Sequence, residues 1–85
     1  MLERAGKDAR AQQLIDYITR RVLKDPGIRI TEDTPLVSSA LVDSFALVDL
    51  LLQLEQVVGR RLDAGRLSPA DFETVTTMLR AAERA

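Results

Sequence analysis

Cysteine and histidine are both absent from this chain of 85 residues, and together the two absences remove most of the chemistry on which small catalysts rely. Without cysteine there is no disulfide, no thiol nucleophile and no thiolate metal site. Without histidine the usual general base is missing, the carboxylates are scattered with no paired motif, and no glycine-rich loop is present to cradle phosphate. An independent enzyme is therefore not expected, and neither is a metal site. Aromatic residues make up only 4% of the chain against 46% hydrophobic residues, which favours aliphatic packing on helices over an aromatic-rich β sandwich. Charge of neither sign dominates: 12 basic residues face 13 acidic ones, so no electrostatic grip on nucleic acid is expected. No apolar run is long enough to span a bilayer, which argues against a membrane partner. Met1-Leu2-Glu3-Arg4 lacks the apolar segment of a secretory signal, and a cytoplasmic setting is the expectation. The length fits one small domain, residues 1–85, held by a single core.

What is present is helical periodicity. Residues 1–7 carry no pattern and are expected to fray. From about Asp8 to Lys24, Ala11, Leu14, Ile15, Ile18 and Val22 recur at spacings of three and four, and Pro26-Gly27 predicts a stop at Lys24 or Asp25. The connection from Asp25 to Asp43 is long, but Ile28, Ile30, Leu36, Val37 and Leu41 are spaced through it as anchors. Ser38 and Ser39 read as turn hydrogen-bonders. The next helix runs from Ser44 to about Val58, with Asp43 or Ser44 able to cap it, Leu47, Leu51, Leu54 and Val58 on one face, and Gly59 suited to the C-terminal cap. Arg60 and Arg61 follow as a solvated pair near its negative end. Ser68-Pro69-Ala70-Asp71 is the start of a short helix that ends near Phe72 or Glu73. Phe72, Val75, Met78, Leu79 and Ala82 mark a closing helix that Thr74, Thr76 or Thr77 could cap.

The central helix carries the functional signal. Asp43-Ser44-Phe45 at its head resembles the Asp-Ser-Leu hallmark of the acyl carrier proteins and the related peptidyl and aminoacyl carrier proteins. Thr34-Pro35-Leu36 resembles the stretch those proteins place before their modified serine, and the likeness extends over roughly residues 10 to 83. The resemblance implies an all-α fold, a four-helix bundle of the acyl-carrier-protein type with three main helices and one short one. It implies that Ser44 is the attachment residue for 4′-phosphopantetheine, donated by coenzyme A through a holo-carrier-protein synthase, and that Asp43 assists the magnesium-dependent transfer. The thiol of that arm would carry acyl or aminoacyl groups as thioesters. Phe45, Val48 and Leu52, rimmed by Asp49, Glu55 and Gln56, match the positions carrier proteins show to their enzymes.

Two departures bear on the partners: Phe45 replaces the leucine after the serine, and Val42 stands where many fatty-acid carriers have a small residue. The helix is also less acidic than theirs, with Asp49 and Glu55 alone after Asp43. The pattern looks more like carriers of secondary-metabolite, polyketide or nonribosomal-peptide biosynthesis than like the housekeeping fatty-acid carrier. The expected protein is a discrete, monomeric carrier visiting a holo-synthase, a loading enzyme and downstream transferases or tailoring enzymes. The competing class is a small helical interaction or DNA-binding module in which Ser44 is only a cap.

Overall fold

The structure, a computed structural model, describes the backbone of residues 2–23 and 27–85 and the side chains of residues 9–23 and 27–85. It is all-helical, with no strand among the described residues. Helix α1 spans Leu2–Tyr17 and continues as a π-helical stretch, Ile18–Leu23; α2 spans Ser44–Val58; α3 spans Val75–Arg84. Two short 3-10 helices, Ala64–Arg66 and Pro69–Phe72, lie between α2 and α3. Each α-helix contacts the other two. No helix among the described residues is long and apolar enough to cross a membrane.

Helix α1 begins at Leu2, ahead of the Asp8 start that its periodicity suggests, so the backbone of residues 2–7 is helical where fraying is expected. The expected stop at Lys24 or Asp25 lies outside the described residues. Ala11, Leu14 and Ile18 are buried, with Ile15 and Val22 packed beside them. Widening into a π-helix is not legible in the pattern. Thr19 Oγ1 donates to the Ile15 carbonyl at 2.9 Å, an acceptor that a regular α-helix reserves for the Thr19 N–H. Five residues after Ile18, Leu23 also packs on the core, a spacing the wider turn accommodates.

The long connection is pinned by its apolar residues and by α3. Ile30, Leu36 and Val42 are buried, and Ile28, Val37 and Leu41 pack partly against the core. The Leu36 N–H donates to the Glu73 carbonyl at 2.7 Å. The Glu73 carboxylate accepts the Val37 and Ser38 N–H groups at 2.9 Å each, and the Ser38 hydroxyl as well. Further upstream, the Thr76 N–H and hydroxyl both donate to the Glu32 carbonyl. Ser38 and Ser39 are thus hydrogen-bonders, Ser39 donating to the Pro35 carbonyl.

Helix α2 ends at Gly59, whose φ of 77° lies in the left-handed region, with its N–H donating to the Glu55 carbonyl. Its fully buried residues are Leu50 and Leu54. The expected face of Leu47, Leu51, Leu54 and Val58 is therefore corrected: Leu54 is central, but Leu50 joins it and Leu47, Leu51 and Val58 flank the core half-buried. On a helix of 3.6 residues per turn the buried face is turned by roughly half a residue step toward Leu50. Beyond the cap, Arg60 is not merely solvated, since its guanidinium donates to the Ala82 carbonyl near the end of α3. Ser68 begins the Pro69–Phe72 helix, with Asp71 Oδ2 accepting the Ser68 N–H at 2.8 Å. Of the three threonines, Thr74 caps α3: it accepts the Thr77 N–H at 3.0 Å while Thr77 Oγ1 accepts its own N–H at 3.0 Å.

Two outcomes test this arrangement. Leu50→Ala and Leu54→Ala should each cost about 2–5 kcal/mol in urea unfolding, because both side chains are fully buried and would leave cavities; an unchanged midpoint for either would move the core face. The second concerns acid. The Ser38 hydroxyl, then the Ser38 and Val37 N–H groups, hold the Glu73 carboxyl below its ordinary value of 4.5 against the opposing effect of desolvation. A carboxylate with a lowered folded value stabilises above 4.5 and loses that contribution as pH falls through the folded value. Wild type should therefore exceed Glu73→Gln in stability at neutral pH and converge with it in acid; a gap that persists in strong acid would exclude the charged carboxylate as its source.

Candidate functional site

The candidate site is the N-terminus of α2, and its geometry follows from which residue does the capping. Asp43 is extended, with φ −105° and ψ −178°, and its Oδ1 accepts the Ala46 N–H at 3.0 Å. The alternative between Asp43 and Ser44 is thereby decided in favour of Asp43. Ser44 becomes the first helical residue. It is exposed, and among the described residues its hydroxyl has no hydrogen-bond partner, so the oxygen is not committed to holding the helix together. The first N–H groups of a helix and its positive dipole end favour an anionic group at this point. Asp43, itself exposed, belongs to no group of three or more acidic side chains that could hold a metal among the described residues.

From Ser44 the helix presents two surfaces. Ser44, Leu47, Val48 and Leu51 stand at i, i+3, i+4 and i+7, which puts the serine at the end of one face. Leu47, Val48 and Leu51 form one wall of an open apolar groove of about 190 Å³, and Ala64, Leu67, Ser68, Pro69 and Phe72 form the other. The segment between α2 and α3 supplies that second wall. The other surface faces water: Phe45 is 86% exposed, Val48 62% and Leu52 55%, large apolar side chains that the core does not take. Asp49 and Gln56 are exposed beside them. Glu55 is different. It is half-buried, and its carboxylate accepts the Leu62 N–H at 2.8 Å, so it closes the turn after Gly59 as well as lying at the edge of the stripe.

The sequence pattern places Asp43, Ser44 and the exposed stripe on one helix but shows neither the groove nor the burial of Val42. The only signal for the groove was Leu67 and Phe72 flanking the Ser68-Pro69 turn, two apolar residues whose partners are set by tertiary packing. Val42, noted above only as a departure from a small residue, is buried and holds the chain immediately before the cap.

The division of labour between neighbours predicts a contrast in chemical denaturation. Asp43→Ala should cost about 0.5–2 kcal/mol by removing the cap, whereas Ser44→Ala should stay within about 0.5 kcal/mol of wild type. Equal losses would assign part of the capping to the serine.

Compared with known protein families, with curated proteins and with solved structures, the chain finds no match.

Proposed function

We propose that the chain is a discrete carrier protein that holds acyl or aminoacyl intermediates as thioesters on a 4′-phosphopantetheine arm attached to Ser44. The observation that carries this reading is the exposed Ser44 hydroxyl, which stands unbonded at the start of α2 while Asp43 does the capping. A capping serine would have its oxygen occupied; this one is left to react. When attached, the arm supplies a terminal thiol that the chain, having no cysteine, does not otherwise possess. Ser44 Oγ is the attachment atom, Asp43 orients the first turn and assists the magnesium-dependent transfer, and the free N–H groups of that turn favour the phosphodiester.

Three α-helices with the short Pro69–Phe72 helix before the last fit a four-helix carrier bundle of the acyl-carrier-protein type. Phe45, Val48 and Leu52 then form the apolar centre of a surface for the holo-synthase, a loading enzyme and downstream transferases, with Asp49, Glu55 and Gln56 at its rim. The sparse acidity of the helix and Phe45 after the serine favour secondary-metabolite biosynthesis over housekeeping fatty-acid synthesis. In this reading the protein works in the cytoplasm as a monomer, without a nucleic-acid or membrane partner. The same stripe would also serve a helical interaction module in which Ser44 stays a plain hydroxyl, so the decisive measurement is chemical.

Incubated with coenzyme A, magnesium ion and a broad-specificity holo-synthase, wild type should gain the mass of one phosphopantetheinyl group, and Ser44→Ala should gain nothing. An unmodified wild type would favour the interaction module, and a group mapped to Ser38 or Ser39 would overturn the site. Leu52→Ala should raise the KM for the synthase about fivefold, as for an interface anchor worth more than about 1 kcal/mol, while lowering stability less than Leu54→Ala. If Leu52→Ala unfolds the domain as readily as Leu54→Ala, the docking face lies elsewhere.

A further inference from the structure

No residue in the first turn of α2 is fully buried: Ala46 and Leu47 pack against the core only in part. The first fully buried residue of α2 is Leu50, six positions beyond Ser44, and Phe45 and Val48 in between face water. The position of Ser44 therefore depends in part on the chain that leads into it. That chain is a closed unit. The Leu36 carbonyl accepts the Val42 N–H at 3.1 Å, the Val37 carbonyl accepts the Ala40 N–H at 3.0 Å, and Ala40 turns the chain with a φ of 64°. Leu36 and Val42 are buried at the base of the loop, and only Asp43 separates Val42 from Ser44.

One residue from another part of the fold holds this unit. The three successive N–H groups of Leu36, Val37 and Ser38 all donate to Glu73, the first to its carbonyl and the other two to Oε1, and the Ser38 hydroxyl donates to Oε2. Glu73 is itself fixed in the tight passage between the Pro69–Phe72 helix and the Thr74 cap of α3. One residue, through its carbonyl and its carboxylate, thus ties the loop before the reactive serine to the approach to the last helix.

We infer that Glu73 is a positioning residue for Ser44, latching the Leu36–Val42 loop so that the serine hydroxyl is held in one orientation for the loading enzyme. The inference rests on the carrier reading and adds to it a residue 29 positions away in sequence that touches neither the serine nor the docking stripe. Removing the latch leaves Leu36 and Val42 free to stay in the core, so the fold survives while the approach to Ser44 loosens. Misplacing a reacting atom by about 1 Å costs on the order of a hundredfold in rate, so even partial loosening is measurable. The effect falls on kcat and not on KM, because Phe45, Val48 and Leu52 are untouched.

The test is steady-state loading of the full chain with coenzyme A, magnesium ion and a broad-specificity holo-synthase, alongside hydrogen exchange of the Leu36, Val37 and Ser38 amides. Glu73→Ala should lower kcat about tenfold or more with KM unchanged, and the Val37 and Ser38 amides, which donate to the carboxylate, should exchange faster, while the Leu36 amide, which donates to the Glu73 carbonyl, serves as the internal reference. Glu73→Gln should restore kcat to within about twofold, because the amide oxygen can accept both N–H groups and the amide nitrogen can donate to the Ser38 oxygen. Glu73→Asp keeps the charge but shortens the reach, so it should fall between them, and it carries the comparison if the alanine variant does not fold. Wild-type kcat in Glu73→Ala, or unchanged exchange of the Val37 and Ser38 amides, would overturn the latch while leaving the carrier reading intact. A loss that the glutamine variant does not recover would also overturn it. A wild type that gains no phosphopantetheine fails at the earlier step, and the carrier reading falls with the inference built on it.

Discussion

Burial of Leu50 and Leu54 is the constraint from which the exposed face of α2 follows. Both side chains are fully enclosed, α2 packs against α1, α3 and the Pro69–Phe72 helix, and a helix can turn only one face inward. With residues 50 and 54 inside, residues 45, 48, 52 and 56 must point the opposite way, whatever their hydrophobicity. Three of those four are large and apolar. Their exposure is therefore imposed by the core and not by a preference for water, and a contiguous apolar stripe left outside is the kind of surface that partners use.

The same rotation of α2 has a second consequence. Because the buried face centres on Leu50, Leu47 and Leu51 are displaced to its shoulder, where the core does not close over them. The segment from Ala64 to Phe72 comes alongside and leaves the apolar groove between. Ser44 stands at the head of that shoulder, so groove, serine and exposed stripe are three outcomes of one helix orientation. Asp43 completes the arrangement by taking over the cap, which leaves the serine oxygen uncommitted.

A connection as long as residues 27–43 has to be made part of the fold, since a domain without disulfides gains nothing from a loose loop. Here the apolar anchors supply burial and α3 supplies hydrogen bonds. Thr76 in the first turn of α3 gives the loop one of the N–H groups that lack intrahelical partners, and Glu73, just before the Thr74 cap, accepts the loop's own N–H groups through its carbonyl and carboxylate. The Glu32 carbonyl thus satisfies one N–H of the helix start, while Glu73 satisfies three successive N–H groups of the loop.

Much of this was legible in the linear sequence because it depends on short-range periodicity and local capping. The positions of α2 and α3, the Gly59 stop, the Ser68-Pro69 start of the short helix and the inward residues of α1 all follow from spacings of three and four and from residues with fixed backbone preferences. Asp43-Ser44 at a helix start was equally visible. What the sequence could not decide was rotation and reach. An unbroken run such as Leu50-Leu51-Leu52 contains more apolar side chains than one helix face can bury, so only tertiary packing selects Leu50 for the core and Leu52 for the surface. Glu73 has no pattern around it that names Ser38 as its partner, because a hydrogen bond across 35 positions is made by the fold and leaves no local trace. The sequence by itself determined where the helices lie and which serine begins the central one; the tertiary structure alone decided which way that helix faces and what holds its first turn, because both depend on side chains that meet only after the chain has closed on itself.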